Sequence, residues 1–201
     1  MDGPADGRGT ARSARDGGAR RRGPRRATAK HLENAALHYL ERFASSAAHL
    51  KRVLMRRVER SARVHGTDRT EGAALVEALV ARFVRAGLVD DRVYAEGRVA
   101  ALFRRGTAPR AIRAALRAKG VAGATIEGAL GTLDAAGDPE LRAAAALARR
   151  RRLGPFRPAE ARAARRDKDL AALARAGFGY DVARRVIDAE DPDLLEVTGN
   201  A

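Results

Sequence analysis

The stretch AIRAALRAKGV at 111–121 has near-copies elsewhere in the chain. In HLKRVLMRRV at 49–58, Leu50 and Leu54 stand where Ile112 and Leu116 do. In DLAALARAGF at 169–178, Leu173 repeats Leu116, and AGF repeats the KGV of 119–121. The apolar residues fall on one side of a helix and arginines on the other. Gly120 stands where a helix needs a left-handed C-cap, a conformation glycine adopts without strain. A similar basic helix written repeatedly points to short helical units in tandem.

Working outward, three units are expected. The first spans 30–88. Leu32, Ala36, Tyr39, Leu40 and Phe43 form one apolar face. Ser45 or Ser46 then caps a helix carrying Leu50, Val53, Leu54 and Val58. The run His65-Gly66-Thr67-Asp68 breaks the chain before a third helix with Leu75, Leu79, Phe83 and Val84, closed by Gly87. The second unit spans 89–137. It opens at Asp90-Asp91, continues through Val93, Tyr94, Val99, Leu102 and Phe103, and stops at Gly106. Thr107 is the expected N-cap of its middle helix, with Pro109 in the first turn and Ile112, Ala115 and Leu116 facing a core. Val121, Ile126, Leu130 and Leu133 give a third helix weakened by Gly123, Gly128 and Gly131. The third unit spans 138–190, from the Asp138-Pro139 cap through Leu141, Ala144, Ala145, Leu147 and Ala148. Gly154-Pro155 and Pro158 interrupt it before Leu170, Leu173 and the Phe178–Ile187 segment.

Few segments alternate as strands do. The expectation is therefore an all-α fold of three tandem three-helix repeats. Because no unit buries much alone, each must pack on its neighbour, giving an elongated, curved array. The ends differ. Residues 1–29 contain no Leu, Ile, Val or aromatic residue. Nothing there offsets a backbone ordering cost of roughly 1–2 kcal/mol per residue, so a disordered basic tail is expected. Arg20, Arg21, Arg22, Arg25 and Arg26 there read either as a solvated leader or as loose phosphate contacts. Residues 191–201 read as a frayed acidic C-terminus.

The net charge of +15 favours acidic partners, although part of the Arg and Ala richness is what a GC-rich genome would produce. The chain has no Cys, hence no disulfide and no thiolate metal ligand, which fits a reducing compartment. No apolar run approaches the ~20 residues of a membrane helix, and the start lacks the apolar segment of a secretory signal. A cytoplasmic monomer is expected.

Arg52, Arg56 and Arg60 are spaced four apart, away from Leu50, Leu54 and Val58. Arg113 and Arg117 repeat the pattern opposite Ile112 and Leu116, and Arg149, Arg150, Arg151, Arg152, Arg165 and Arg166 thicken the charge in the third unit. Like charges at this spacing cost a helix tenths of a kcal/mol per pair. A single ladder reads as a solvated face; recurrence at matching positions reads as a track for an acidic polymer or filament. These eleven arginines are the candidate binding residues.

Catalysis finds little support. His31, His38, His49 and His65 include no pair one helical turn apart, and there is no HExxH-like cluster. Asp90 and Asp91 are adjacent and point apart, which suits capping. No GxxxxGK[ST] occurs. Neither a catalytic residue, a metal nor a cofactor is expected. Tyr39, Phe43, Phe83 and Phe103 have core spacing, leaving few rings for base stacking.

The run AGLVDDRVYAEGRVAALFRRGTAPRAIRAALRAKGV at 86–121 resembles the signature of the RecX family of recombinase regulators. Its parts are the Gly87-Leu88-Val89-Asp90-Asp91 turn, Tyr94-Ala95, Arg105-Gly106, the basic helix from Ile112 to Leu116, and Lys119-Gly120-Val121. ALHYLERFASSAAHLKRVLMRRV and GFGYDVARRVI resemble the family's first and last units, so the likeness spans about Leu32 to Ile187. Two features depart from the pattern. Val58-Glu59-Arg60 stands where the first unit should have a junction glycine, with a long linker after it, and the basic leader exceeds the family's need. The resemblance implies three three-helix repeats and a non-enzymatic regulator of DNA repair, recombination and the SOS response. Such a protein binds the RecA–single-stranded DNA filament and usually inhibits it. The competing reading is a general nucleic-acid-binding helical repeat that uses the same arginines without RecA.

Overall fold

The structure, a computed structural model, describes Gly23, residues 25–193 and Leu195. The described residues form nine α-helices and no strand: α1 Ala29–Leu40, α2 Ala47–His65, α3 Arg69–Arg85, α4 Asp91–Phe103, α5 Pro109–Ala118, α6 Gly123–Gly131, α7 Pro139–Arg151, α8 Ala159–Ala176 and α9 Tyr180–Ile187. Two 3-10 turns lie at Asp134–Ala136 and Gly154–Phe156. The all-α expectation holds.

Short polar side chains start most helices. Thr28, Ser46, Asp68, Asp90 and Asp138 each accept a hydrogen bond from a first-turn N–H. Thr107 does not cap α5. The cap residue is Ala108, at φ −57° and ψ 140° with no side-chain bond, because Pro109 at the first helical position forces its predecessor out of the helix. With Leu50 laid on Ile112, the two cap positions are Ser46 and Ala108, so the register repeats and the hydroxyl does not. Asp90 and Asp91 cap different helices. Asp90 accepts from Arg92 and Val93 of its own helix, and Asp91 accepts from Ala47 N of α2 at 2.8 Å.

The first unit's missing junction glycine is Gly66. No helix breaker stands at 58–60, so α2 runs on to His65 and ends at Gly66 with φ +64°. The extra turns carry Ser61, fully buried, whose Oγ accepts from Ala27 N at 2.9 Å and lies 2.6 Å from Thr67 Oγ1. This bond ties down the end of the expected tail. Ala27 is buried and Thr28 caps α1, so disorder does not extend to residue 29. Residues 1–22 and 24, including Arg20, Arg21 and Arg22, lie outside the described residues.

Buried side chains fall into three clusters. One joins α1–α3 through Leu32, Leu50, Leu54, Val58, Val76 and Phe83, and a second joins α4–α6 through Val99, Ile112, Leu116 and Ile126. The third joins α7–α9 through Leu141, Leu147, Leu173, Phe178 and Val186. It also takes in Ala108 from the start of α5 and Leu195 from the C-terminal segment. The rest of the expected C-terminal fraying, at 194 and 196–201, lies outside the described residues.

Four expected core residues are exposed: Phe43, Val84, Val93 and Ala115. Neighbours on a helix point about 100° apart. Phe83, Tyr94 and Leu116 take the inward directions, so Val84, Val93 and Ala115 cannot. Phe43 follows the end of α1 and leaves its stripe, touching Tyr39 at 5.3 Å between ring centroids.

The middle helices meet end to end. Ser46 Oγ donates to Lys119 O at 2.7 Å, Arg52 Nη2 donates to Ala118 O at 2.8 Å, and the Ala48 methyl lies over Gly120. The start of α2 thus sits on the end of α5. In the same way Arg110, at the start of α5, lies over Gly177 at the end of α8. With Leu50 on Ile112, Ala48 falls on Arg110, so one helix position makes both joints.

Candidate nucleic-acid interface

The eleven candidate arginines are not equally available. Arg113 is clamped by Glu127, Nε to Oε1 at 2.7 Å and Nη2 to Oε2 at 2.8 Å. Arg166 is clamped by Asp188 with both bonds at 2.7 Å. Hydrogen bonds from the guanidiniums hold the Glu127 and Asp188 carboxyls below their ordinary pKa, so both pairs are ionic at neutral pH. Arg52 spends one donor on Ala118 O, which leaves the rest of its fork outward. Arg56, Arg60, Arg117, Arg150, Arg151, Arg152 and Arg165 have exposed side chains.

Two groups form. Arg52, Arg56 and Lys119 gather around His49 at the first joint; burial first, and then these three charges, push its pKa below the ordinary 6.5. The second group is a groove of about 490 Å³ on α7. Arg104, Arg142, Arg149 and Arg150 surround it, with Ala145, Ala146, Phe156 and Leu195 between them. Arg142 lies 5.0 Å over the Phe103 ring and donates to Leu133 O at 3.0 Å, and Arg149 lies 5.6 Å over Phe156. Rings beneath two guanidiniums orient them by cation–π attraction. Such a groove offers donors to phosphate or carboxylate oxygens and an apolar floor to a flat group between them.

Arg152 ends α7 at φ +55°, the one left-handed residue other than glycine among those described. The groove's local anchor is Asp169, 2 % exposed, which accepts from Gly154 N at 2.9 Å and from Arg157 at 2.7 and 2.9 Å. Burial raises its pKa, but the bonds from Arg157 and Gly154 outweigh that and leave it lowered. The carboxylate therefore stays charged and holds the Gly154–Phe156 turn, and with it Phe156, against α8.

The ladder spacing does not single out Arg104 or Arg142. Arg104 sits at the end of α4, outside any ladder. Arg142 and Arg149 stand two helical turns apart on α7, a one-face spacing that the Arg149–Arg152 run obscures. Among the described residues there is no cluster of His, Cys, Asp or Glu that could hold a metal, and no helix long and apolar enough to cross a membrane.

Residues 90–130, covering α4, α5 and nearly all of α6, match the family model described as RecX, second three-helix domain. Two crystal structures share the fold. One, of regulatory protein RecX, has a TM-score of 0.54 at 22% identity over 80% of this chain and 72% of that one. The other, of RecX from Lactobacillus salivarius, has a TM-score of 0.54 at 19% identity over 84% and 97%. Regulatory protein RecX of Agrobacterium fabrum (strain C58) is 29% identical over 84% of this chain and 88% of its own. Regulatory protein RecX of Myxococcus xanthus (strain DK1622) is 47% identical over 168 residues, 83% of this chain and 89% of that relative. Identity at that level over that length, on a matching helical fold, places the chain in the RecX family of regulatory proteins.

Proposed function

We propose that this chain is a non-enzymatic regulator of homologous recombination and DNA repair. It binds the RecA–single-stranded DNA filament and inhibits RecA, as an array of three tandem three-helix units in the bacterial cytoplasm. Family membership supports the regulatory role, and the three buried clusters support the three units. The observation that carries the binding mode is the groove of Arg104, Arg142, Arg149 and Arg150, whose guanidiniums and apolar floor suit a phosphate-bearing strand inside a protein filament. A ligand that favours one filament state shifts the filament without chemistry of its own.

The test is RecA-coupled ATP hydrolysis on single-stranded DNA with sub-stoichiometric amounts of this protein. Wild type should lower turnover. Arg104→Gln with Arg150→Gln changes exposed sites, so stability should move by no more than roughly 0.5 kcal/mol. Inhibition should weaken severalfold, with a shallower salt dependence. Adding Arg52→Gln and Arg56→Gln should compound the loss. A well-folded four-Gln protein that inhibits like wild type removes both groups as the working surface.

The second reading, a general nucleic-acid binder, draws on the same guanidinium–ring pairs over Phe103 and Phe156. It predicts equal affinity for bare single strands and for the filament.

A further inference from the structure

A second groove, of about 500 Å³, lies where α1, the turn after α3 and the start of α4 meet. Val89 and Tyr94 are buried in it and Leu40 half-buried, and Phe43, Leu88 and Val93 stand on its edges with 54%, 55% and 63% of their surfaces exposed. Contiguous exposed apolar surface of this kind marks a contact site.

The turn from Gly87 to Asp91 sharpens the point. Gly87 reverses the chain at φ +69°, Val89 is buried, Asp90 caps α4 and Asp91 caps α2. The Leu88 side chain alone has no such part in the fold. Val93 likewise faces away from the core that Tyr94 and Ala95 enter.

Three occupants are conceivable. The chain's own leader, residues 1–22, has no Leu, Ile, Val or aromatic residue to seat in an apolar groove. A second copy brings another +15 of charge and is repelled. That leaves a partner polypeptide. Two charged residues line the groove, Asp90 and Arg98. Asp90 is engaged by the N–H groups of Arg92 and Val93. Arg98 is exposed and has no hydrogen bond or ion pair among the described residues, so the groove presents one uncommitted positive charge beside apolar surface.

We infer that this groove docks a partner polypeptide through an apolar side chain seated between Phe43, Leu88 and Val93, with a neighbouring carboxylate paired to Arg98. It rests on the functional reading above in taking that polypeptide to be a recombinase subunit. The groove then supplies protein contact, separate from the strand contact of the arginine groove.

The test compares binding of the full chain to the RecA–single-stranded DNA filament and to the same DNA bare. Leu88→Ser with Val93→Ser should weaken filament binding about tenfold, the scale of a lost apolar anchor, and leave bare-strand affinity and the melting midpoint unchanged. Arg98→Gln should weaken filament binding about threefold at low salt and less at high salt, again without touching bare-strand binding. If the double variant folds poorly, Val93→Thr, which changes one exposed methyl, replaces it and should still reduce filament binding selectively. Unchanged filament affinity in the Ser and Thr variants overturns the groove, and equal losses on filament and bare strand overturn protein contact. Wild type that prefers neither form overturns the functional reading and the partner named here with it.

Discussion

At Gly120 the backbone turns through φ +79° beneath the Ala48 methyl, and a Cβ added there would stand 2.5 Å from the Ala48 Cβ. Gly66 takes φ +64° with nothing within 4 Å of an added Cβ. The pair separates conformational cost from crowding. Gly66→Ala should cost about 1 kcal/mol for the left-handed backbone alone. Gly120→Ala should cost roughly 2 kcal/mol or more, the same strain plus an overlap at the joint. Thermal melts of the two variants decide it, and equal shifts would mean that Ala48 yields freely. The sequence showed Gly120 as a C-cap because the helix before it is a repeated pattern. It could not show Ala48 above it, since that contact joins α2 to the end of α5, far apart in the chain. The same distance hid the partners of the candidate arginines: Glu127 stands on the helix after Arg113, and Asp188 beyond the helix after Arg166.

Helices were the most legible level, because a 3.6-residue apolar period and a capping side chain are both local. Their faces were less so. Period alone marks Phe83-Val84 and Tyr94 with Val93 as apolar, and only packing decides which of each pair turns inward. Isolated buried residues such as Ala27 and Leu195 leave no period, so nothing local separates them from a tail. The joint between α2 and α5 should respond to acid. His49 has its pKa lowered by burial and then by Lys119, Arg52 and Arg56, and His31 is lowered by burial, Arg57 and Arg25. On acidification the unfolded chain takes up protons at the ordinary 6.5 while the folded chain resists, so stability falls below that pH until the folded values are reached. The melting midpoint should therefore drop between about pH 7.5 and about pH 5.5, and His31→Gln with His49→Gln should remove most of that slope. Asp169 and Asp188, with lowered pKa values, contribute above their ordinary 3.8 and lose their effect only as pH falls through the folded values below it. They are silent in the histidine window. A slope unchanged in the double variant would place the acid sensitivity elsewhere.

Across the whole molecule, +15 of net charge acts on folding and binding with opposite signs. Salt screens self-repulsion and should raise the melting midpoint by a few degrees between about 0.05 and about 0.3 M. Over the same range it should weaken binding to single-stranded DNA by an order of magnitude or more, as counterions compete for the phosphates. Melts and anisotropy titrations in matched buffers test this. A midpoint that falls with salt would mean that ion pairs such as Arg166–Asp188 and Arg157–Asp169 outweigh the repulsion.

The end-to-end joints also make the molecule vectorial. The N-terminus of α2 sits on the C-terminus of α5, and the N-terminus of α5 reaches the C-terminus of α8. The series therefore begins at the N-terminus of α8 and ends at the C-terminus of α2. Turning it end for end does not superimpose it on itself. A strand or filament with its own 5′-to-3′ sense, bound as proposed, would therefore meet two inequivalent orientations of this protein.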